Sequence, residues 1–358
     1  MNITIAGAGV IGCAIAHELA SRGARVRVLD ARAPGGGATR ASAGILAPHT
    51  EGHDQALLRL CLRSLSLYDD LLDRVTHDSG HTVEYERHGT TQVAFNLDEA
   101  NRLKRAARIL GEGGFEHRLL TAGDVRRLEP AVSPAAVGGL HIPTQGYVAA
   151  GDLTRALAAA AMRRGATFDP SPAVTVGDGT VKTPAGTVGS DVVIVAAGSW
   201  SSRIGGTRTD AVKPIRGQLL QLRLPERPAE RIVWGSQCYL VPWRDGTVLV
   251  GATVEDVGFD EHATTTGVQQ LLDAAVTLMP ALRQALFEEV RVGLRPMTRD
   301  ELPAIGASST MPHVFYATGH YRNGVLLAPL TARLVADLVL DGKQDDDLAM
   351  LRPERLGL

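Results

Sequence analysis

The chain has 358 residues, of which 44% are hydrophobic and 21% are charged, and its formal net charge is -2. A chain of this length can bury large cores and exceeds one typical domain, so we expect two lobes that share a cleft. The balanced charge excludes the strongly basic surface of a nucleic-acid-binding protein. The three cysteines lie far apart in the sequence, which argues against a disulfide framework and indicates a reducing compartment.

The N-terminus could be mistaken for a signal peptide because residues 3–20 are largely apolar. It has no basic segment, however, and His17 and Glu18 interrupt the apolar run. No other stretch is long and apolar enough to span a membrane. None of the eleven histidines stands in an HExxH or comparable ligand spacing. We therefore expect a cytoplasmic protein that binds neither a membrane nor a metal ion.

Residues 3–30 predict a strand, a glycine turn, a helix and a second strand. The apolar run from Ile3 is typical of a buried parallel strand, and it leads into GAGVIG at residues 7–12. These glycines allow a tight turn and close approach of a pyrophosphate, which the helix N-terminus attracts. A carboxylate about 20 residues further on accepts hydrogen bonds from a ribose. The predicted nucleotide site contains Gly7, Gly9, Val10, Ile11, Gly12, Asp30 and Ala31.

A second glycine-rich loop, GGGATRASAGIL, follows at residues 35–46. Its backbone N–H groups and its arginine could surround a long diphosphate ligand. A flexible surface loop is the alternative interpretation.

Apolar spacing predicts the remaining elements. It indicates one long helix over residues 54–76 and another over 98–110 that its first residue caps. A further helix is expected after an Asp152 cap, and another over 266–278. Residues 211–297 alternate between polar and apolar positions as antiparallel strands do.

One of these strands ends at Arg295, within GLRPMT. Burying an unpaired guanidinium costs several kcal/mol, so this side chain requires an anionic partner. The partner could be Asp300 or Glu301 in an internal salt bridge, or it could be a substrate carboxylate held by a bidentate fork. The residues alone leave both possibilities open.

Together these motifs resemble the D-amino acid oxidase and sarcosine oxidase superfamily of FAD enzymes, and within it the glycine oxidases of thiamine biosynthesis. The resemblance rests on GAGVIG with Asp30, on GATRASAGILAP and on GHYRNG at residues 319–324, and it spans almost the whole chain in the same order. It implies an α/β, Rossmann-type FAD-binding domain of the glutathione-reductase kind and a second, mostly antiparallel-sheet substrate domain of α+β type. We assign the first to residues 1–82, 148–210 and 298–358, and the second to 83–147 and 211–297.

The resemblance implies non-covalent FAD, because Met297 and Thr298 stand where related sarcosine oxidases carry a flavin-linked cysteine. The helix after GHYRNG, with Pro329 near its start and Gly342 at its end, would stabilise negative charge on the reduced ring. Further FAD contacts are expected from Ala38, Thr39, Ala43, Gly44, Ile45, Ala173, Gly198, Trp200, His320, Tyr321, Arg322, Asn323, Gly324, Val325 and Leu326.

The resemblance also implies catalytic roles for Arg295 and Tyr239, which would hold a substrate carboxylate, and for Arg322 beside the flavin. The implied pocket includes Ile45, Gln237 and Val254; glycine oxidases often carry His and Met at the last two positions, which leaves the substrate open.

The implied reaction is oxidative deamination of glycine or a similar small amine such as sarcosine or a small D-amino acid, with O2 reduced to H2O2. Hydride transfer from a neutral amine to the flavin needs no general base, because the cofactor carries the difficult chemistry. Many relatives are homotetramers, so a homo-oligomer is expected.

Three alternatives remain from the sequence. One is an amino acid dehydrogenase of the same fold that passes its electrons to another acceptor. Another is an amine oxidase of secondary metabolism with a larger substrate. The third is a non-catalytic flavin-binding subunit of a hetero-oligomeric oxidase.

Overall fold

The computed structural model describes residues 1–51 and 54–358. Its helices are α1 Val10–Ser21, α2 Gln55–Leu65, α3 Tyr68–Ser79, α4 Leu97–Glu112, α5 Ala122–Leu128, α6 Ala150–Arg163, α7 Thr265–Leu278, α8 Gly324–Asp341 and α9 Leu348–Leu351. Its strands are β1 Asn2–Ala6, β2 Arg25–Leu29, β3 Ile45–Leu46, β4 Tyr85–Glu86, β5 Thr90–Ala94, β6 Arg118–Thr121, β7 Gly138–Ile142, β8 Gly146–Val148, β9 Thr167–Asp169, β10 Thr175–Gly177, β11 Thr180–Thr183, β12 Gly186–Gly189, β13 Val192–Val195, β14 Lys213–Arg223, β15 Ile232–Trp234, β16 Tyr239–Pro242, β17 Thr247–Gly251, β18 Leu286–Met297, β19 Ala304–Ala307 and β20 Val314–Thr318.

The N-terminal motif forms the middle of a mostly parallel sheet. The strand order is β19-β20-β13-β1-β2-β9, and only the edge strand β19 runs antiparallel to its neighbour. Nearly every residue of β1 and all of β13 are buried, because helices cover a parallel sheet on its faces. Helix α1 packs against both α6 and α8 in the largest core cluster. The predicted order of strand, glycine turn, helix and strand is confirmed.

The second large sheet is antiparallel except where β15 runs parallel to β5. Its order is β18-β14-β17-β16-β15-β5-β7-β6, and α7 packs on β14 and β17. Two small antiparallel sheets complete the described part of the chain, one of β10, β11 and β12 and one of β3, β8 and β4. The predicted α/β class with a second antiparallel sheet is confirmed, whereas the residue boundaries of the two domains stay a prediction.

The single long helix predicted over residues 54–76 is wrong. The chain forms α2 and α3 with a break between them, where the Ser66 hydroxyl donates to the Arg63 carbonyl. Local side-chain bonds of this kind compete with helix continuation. Apolar spacing continues across the break, which is why the pattern alone did not reveal it.

Two predicted helix caps are also wrong. Helix α4 begins one residue before Asp98, and its N-cap is Asn96, whose side-chain oxygen accepts from the Glu99 N–H at 2.9 Å. Helix α6 begins at Ala150 without a side-chain cap, and Asp152 lies in its first turn. In both cases the carboxylate stands inside the helix start, where it still interacts favourably with the helix dipole.

Pro329 lies inside α8, past its first turn. A proline there lacks the N–H that would bond the carbonyl four residues earlier, at Val325. The buried Tyr68 hydroxyl donates to that carbonyl instead. A side chain of α3 therefore completes the hydrogen bonding of α8 near the N-terminus that faces the cleft.

Candidate active site

One cleft, with a volume of about 660 Å³, is lined by residues of both large sheets and of the two glycine-rich loops. Every predicted site residue except Gly12 lies on its wall. Gly12 is buried beneath the first turn of α1, where an added Cβ would overlap the Gly7 carbonyl oxygen. This glycine thus lets α1 pack directly on the turn, which is the packing role that the motif predicts.

The nucleotide end of the cleft is built largely from backbone. Gly7 adopts a φ of 115°, which favours glycine, and the open face of Gly9 meets only the Thr39 hydroxyl, 3.6 Å from an added Cβ. That hydroxyl accepts from the Val10 N–H at 3.1 Å, so the second loop caps the first turn of α1. Asp30 accepts from the backbone N–H groups of Ala8 at 2.7 Å and Arg32 at 2.9 Å. Its two oxygens can still accept further bonds from a ribose diol.

The opposite end lies at the start of α8. Tyr321 has a φ of 47°, and the loop of residues 319–323 turns the chain so that the N-terminus of α8 lines the cleft. His320 is buried, its Nε2 lies 3.0 Å from the Thr331 hydroxyl, and burial lowers its pKa to about 3. The imidazole is therefore neutral near pH 7, so the positive character of this end comes from the helix N-terminus and from Arg322.

Arg295 extends from β18 into the cleft. Its Nη1 donates to the carbonyls of Thr253 at 3.0 Å and Arg216 at 3.3 Å. The guanidinium lies against Gly217 in the neighbouring strand β14, where an added Cβ would overlap it. The main chain therefore positions the guanidinium of Arg295. Because these two carbonyls are neutral, they do not balance its positive charge.

The salt-bridge alternative for Arg295 is wrong. Asp300 pairs instead with Arg355 at 2.7 Å, and Glu301 is exposed to solvent. Within residues 1–51 and 54–358, no carboxylate lies within ion-pair distance of Arg295. Its guanidinium is therefore available to pair with a bound anion.

Tyr239 lies next to Arg295 on the wall of the cleft. Its ring packs against Gly251 of β17, where a Cβ would overlap the hydroxyl, and its centroid is 4.9 Å from that of Trp234. Burial raises the pKa of Tyr239 to about 12, so its hydroxyl remains a donor at neutral pH. Gln237 and Val254 are exposed at the rim, Val254 by 59%.

Sequence reasoning missed several residues that shape this end. Gly217 and Gly251 were not singled out, although an isolated glycine inside a strand is a known signal of close approach by another group. Glu51 was missed as well, since no motif includes it. Its side chain is 15% exposed, and its Oε2 lies 3.6 Å from Arg322 Nη1.

A loop from the second sheet region contacts the nucleotide end. Glu261 pairs with both terminal nitrogens of Arg32, at 2.9 Å and 2.6 Å, and the Arg32 guanidinium lies 4.4 Å from the centre of the Trp200 ring. Phe259 lies under the Arg203 guanidinium at 3.7 Å. This loop therefore connects the second sheet region to the nucleotide end of the cleft, next to Trp200.

Two further properties concern only the described part of the chain. It contains no group of three or more His, Cys, Asp or Glu side chains that could hold a metal ion. None of its helices is long and apolar enough to cross a membrane.

The cleft combines a glycine turn under a helix N-terminus, an acid at the end of β2 and an extension to the second sheet. These features are typical of a dinucleotide-dependent oxidoreductase. The family model described as "FAD dependent oxidoreductase" (DAO) matches residues 2–338, and the chain belongs to this family. The backbone cradle around Gly7, Gly9 and α1 fits the diphosphate of FAD, so the predicted cofactor agrees with the site.

The chain is similar to named glycine oxidases over nearly its full length. It is 35% identical over 358 residues to a glycine oxidase of Geobacillus kaustophilus, with 97% of this chain and 95% of that protein covered. The crystal structure of glycine oxidase from Geobacillus kaustophilus matches with a TM-score of 0.93 at 34% identity, covering 98% of this chain and 97% of that one.

A bifunctional protein ThiO/ThiG of Nostoc sp. is 37% identical over 360 residues, which cover 96% of this chain and 53% of that protein. The chain thus spans about half the length of this relative, at 53% coverage.

Proposed function

We propose that this chain catalyses the FAD-dependent oxidative deamination of a small amino acid, with glycine as the first candidate. The reaction converts glycine, O2 and water into glyoxylate, ammonia and H2O2. Sarcosine and small D-amino acids are further candidates, because Gln237 and Val254, which line the cleft, differ from the His and Met that glycine oxidases often carry there.

The observation that carries the proposal is the state of Arg295. Its guanidinium lies on the wall of the cleft, is oriented by two backbone carbonyls and has no carboxylate within ion-pair distance in the described chain. A planar guanidinium binds a carboxylate bidentately, and the adjacent Tyr239 hydroxyl can donate a further hydrogen bond. The site therefore supports a substrate that carries a carboxylate.

The remaining wall supplies the cofactor contacts. When FAD is bound, it supplies the acceptor for two electrons, which it passes on to oxygen. We propose that Gly7, Gly9 and the start of α1 hold its diphosphate, that Asp30 holds the ribose, and that the N-terminus of α8 lies at the isoalloxazine end. Holding the carboxylate at Arg295 and Tyr239 would place the α-carbon beside that ring, within a near-attack distance of ~3–3.5 Å.

The first experiment is the visible spectrum of the purified protein under anaerobic conditions, before and after addition of glycine, sarcosine and a small D-amino acid. We expect glycine to bleach the oxidised flavin bands and air to restore them. A flavin spectrum that none of the three changes would contradict the proposed substrate while leaving the cofactor assignment in place.

Two simple controls address the alternatives. Oxygen consumption with glycine and no added acceptor separates an oxidase from a dehydrogenase of the same fold. Acid precipitation should leave the yellow colour in the supernatant, as expected for non-covalent FAD. Colour retained in the pellet would contradict that expectation.

A further inference from the structure

The proposed carboxylate contacts account for only one end of an amino acid. At the pH where such an enzyme works, glycine is a zwitterion, and its ammonium group lies two bonds from the carboxylate carbon. With Arg295 and Arg322 both on the wall of the cleft, this end carries two guanidinium charges. Like charges repel, so an ammonium group placed here requires an anion on the protein.

Glu51 is the group in position to supply that anion. Among the described residues that line the cleft, only Asp30 and Glu51 carry carboxylates. Asp30 is at the nucleotide end, where it accepts from backbone N–H groups. Glu51 lies a few residues beyond the segment Ala43–Ile45 and is oriented toward Arg322.

The carboxylate of Glu51 has unused hydrogen-bonding capacity. Its distance of 3.6 Å from Arg322 Nη1 permits an ion pair but is too long for a hydrogen bond. In the chain outside residues 52 and 53, no other donor bonds to it. An ionised carboxylate has about four lone-pair sites for donors, and a buried one is costly to leave without partners. Since Glu51 is 15% exposed, water alone satisfies it poorly.

We infer that Glu51 binds the ammonium group of the substrate, so that the site recognises a zwitterion by Arg295 at one end and Glu51 at the other. This inference rests on the proposed amino acid substrate. Arg322 then has a second role as the partner that holds Glu51 in place before substrate binds. The assignment makes Glu51 a specificity residue that selects an amine-bearing carboxylate over a simple one.

Burial of Glu51 and its two arginine neighbours set the pH range of this selection. Glu51 faces Arg322 from the loop before α8, Arg295 from β18, Tyr239 from β16 and Cys61 from α2. Burial raises the pKa of Glu51 above its usual range, against the lowering effect of the two arginines. Lowering the pH through that raised pKa protonates Glu51 and removes the anion, so the preference for a zwitterion should weaken toward acid.

The test compares glycine with propionate, which has a methyl group in place of the ammonium group. For Glu51→Gln in the FAD-loaded enzyme, we expect a ten- to hundredfold higher KM for glycine. The Ki of propionate should stay the same or fall, because the variant removes a negative charge near its carboxylate. Glu51→Asp, which keeps the charge, should recover part of the glycine affinity. FAD affinity and Tm should match the wild type.

Equal changes for glycine and propionate would show a structural role for Glu51 and overturn the inference, as would an unchanged glycine KM. In the wild type, the ratio of the two affinities should also fall toward acid, whereas in Glu51→Gln it should be independent of pH. A pH-dependent ratio in that variant would assign the effect to another group.

If glycine does not reduce the wild-type flavin, the proposed function fails, and a second ligand pair still tests Glu51. The pair is 2-aminoisobutyrate and trimethylacetate, whose α-carbons carry no hydrogen, and their binding is read from the flavin absorbance. The inference is supported if Glu51→Gln binds 2-aminoisobutyrate more weakly than the wild type does but binds trimethylacetate equally well. Equal binding of both ligands to the wild type, or an equal change in the variant, overturns it.

Discussion

The two ends of the cleft are built in different ways. At the nucleotide end, the contacts come from backbone atoms and from residues close together in the sequence, such as Gly7, Gly9 and Asp30. At the substrate end, side chains from distant segments meet, among them Glu51, Tyr239, Arg295 and Arg322. Both ends need glycines for close approach, but only the substrate end is defined by charged side chains that come from distant segments.

This difference has a consequence for substitutions. A methyl group added to the glycine turn should damage folding and cofactor binding together, because the turn and α1 are in direct backbone contact. A charge removed from the substrate end should alter substrate affinity while the flavin stays bound.

The largest effect is expected for Gly12→Ala. The added Cβ would overlap the Gly7 carbonyl oxygen, and two backbone segments cannot separate without moving α1. Overpacking usually costs about 1–3 kcal/mol, and here we expect the upper end or more. The measurement is retained FAD per protein together with Tm.

The matched control is Gly189→Ala, at a position where a Cβ has no neighbour within 4 Å. It should leave both quantities close to wild type. A Gly12→Ala protein with normal flavin content and Tm would break the proposed distinction between the two ends.

Arg295→Ala should affect the substrate end alone. Removing one partner of a buried charge pair costs about 3–5 kcal/mol, which corresponds to a loss in kcat/KM of hundreds- to thousandsfold. FAD content should remain normal, and Arg295→Lys should recover only part of the loss, since lysine lacks the planar fork. An unchanged kcat/KM would remove Arg295 from the substrate site.

Ionisation of Glu129 should change the stability of the fold without involving either end of the cleft. Glu129 is 1% exposed in the second sheet region, where it accepts from the Thr91 hydroxyl at 3.0 Å, and burial raises its pKa from 4.5 to about 7. Between these two values the unfolded chain has lost a proton that the folded chain retains, so stability falls as pH rises. Glu129→Gln should abolish this fall, which we expect to be on the order of 1–3 kcal/mol.

The measurement is Tm of the FAD-loaded protein at pH 5, 6, 7 and 8. Tm should fall with rising pH in the wild type, and this fall should be absent in Glu129→Gln, while the flavin spectra of the two proteins coincide. Parallel curves would show that Glu129 ionises equally in both states. A changed flavin spectrum would mean that this region is coupled to the cleft.

The smallest effect is expected at the exposed contact between the two parts. The side chains of Arg32 and Glu261 are 40% and 34% exposed, and pairs of this kind contribute about 0–1 kcal/mol. Glu261→Gln should weaken FAD binding by a factor of about five at most, and salt should erase the difference. Glu288→Gln, which breaks a pair with Arg223 on β14, is the control and should have no effect. A large, salt-resistant loss would give this loop a direct role in retaining the cofactor.

The sequence alone predicted the strand, glycine turn, helix and strand at the nucleotide end, because the information for these elements is local. The turn at residues 7–12, the helix after it and the acid at the end of β2 lie within one short segment. The spacing of the glycines and of the apolar residues predicts a short unit of this kind directly. The resemblance to FAD enzymes added the later motifs, and the family match confirms that the chain is an FAD-dependent oxidoreductase.

Several features were beyond any local pattern. The support of α8 by Tyr68 joins residues far apart in the chain. The sequence also left open whether Asp300 pairs with Arg295. In the structure Asp300 pairs with Arg355, which lies 55 residues further along the chain.

The amino-acid sequence by itself indicated the class of cofactor, because the glycine turn, the helix after it and the acid at the end of β2 all lie within the first 30 residues. Only the tertiary structure decided how the substrate end is arranged. Gly217 and Gly251 make room for Arg295 and Tyr239 across neighbouring strands, and Glu51 reaches Arg322 from a distant loop. Such contacts arise from strand register and loop packing, and no spacing along the chain encodes them.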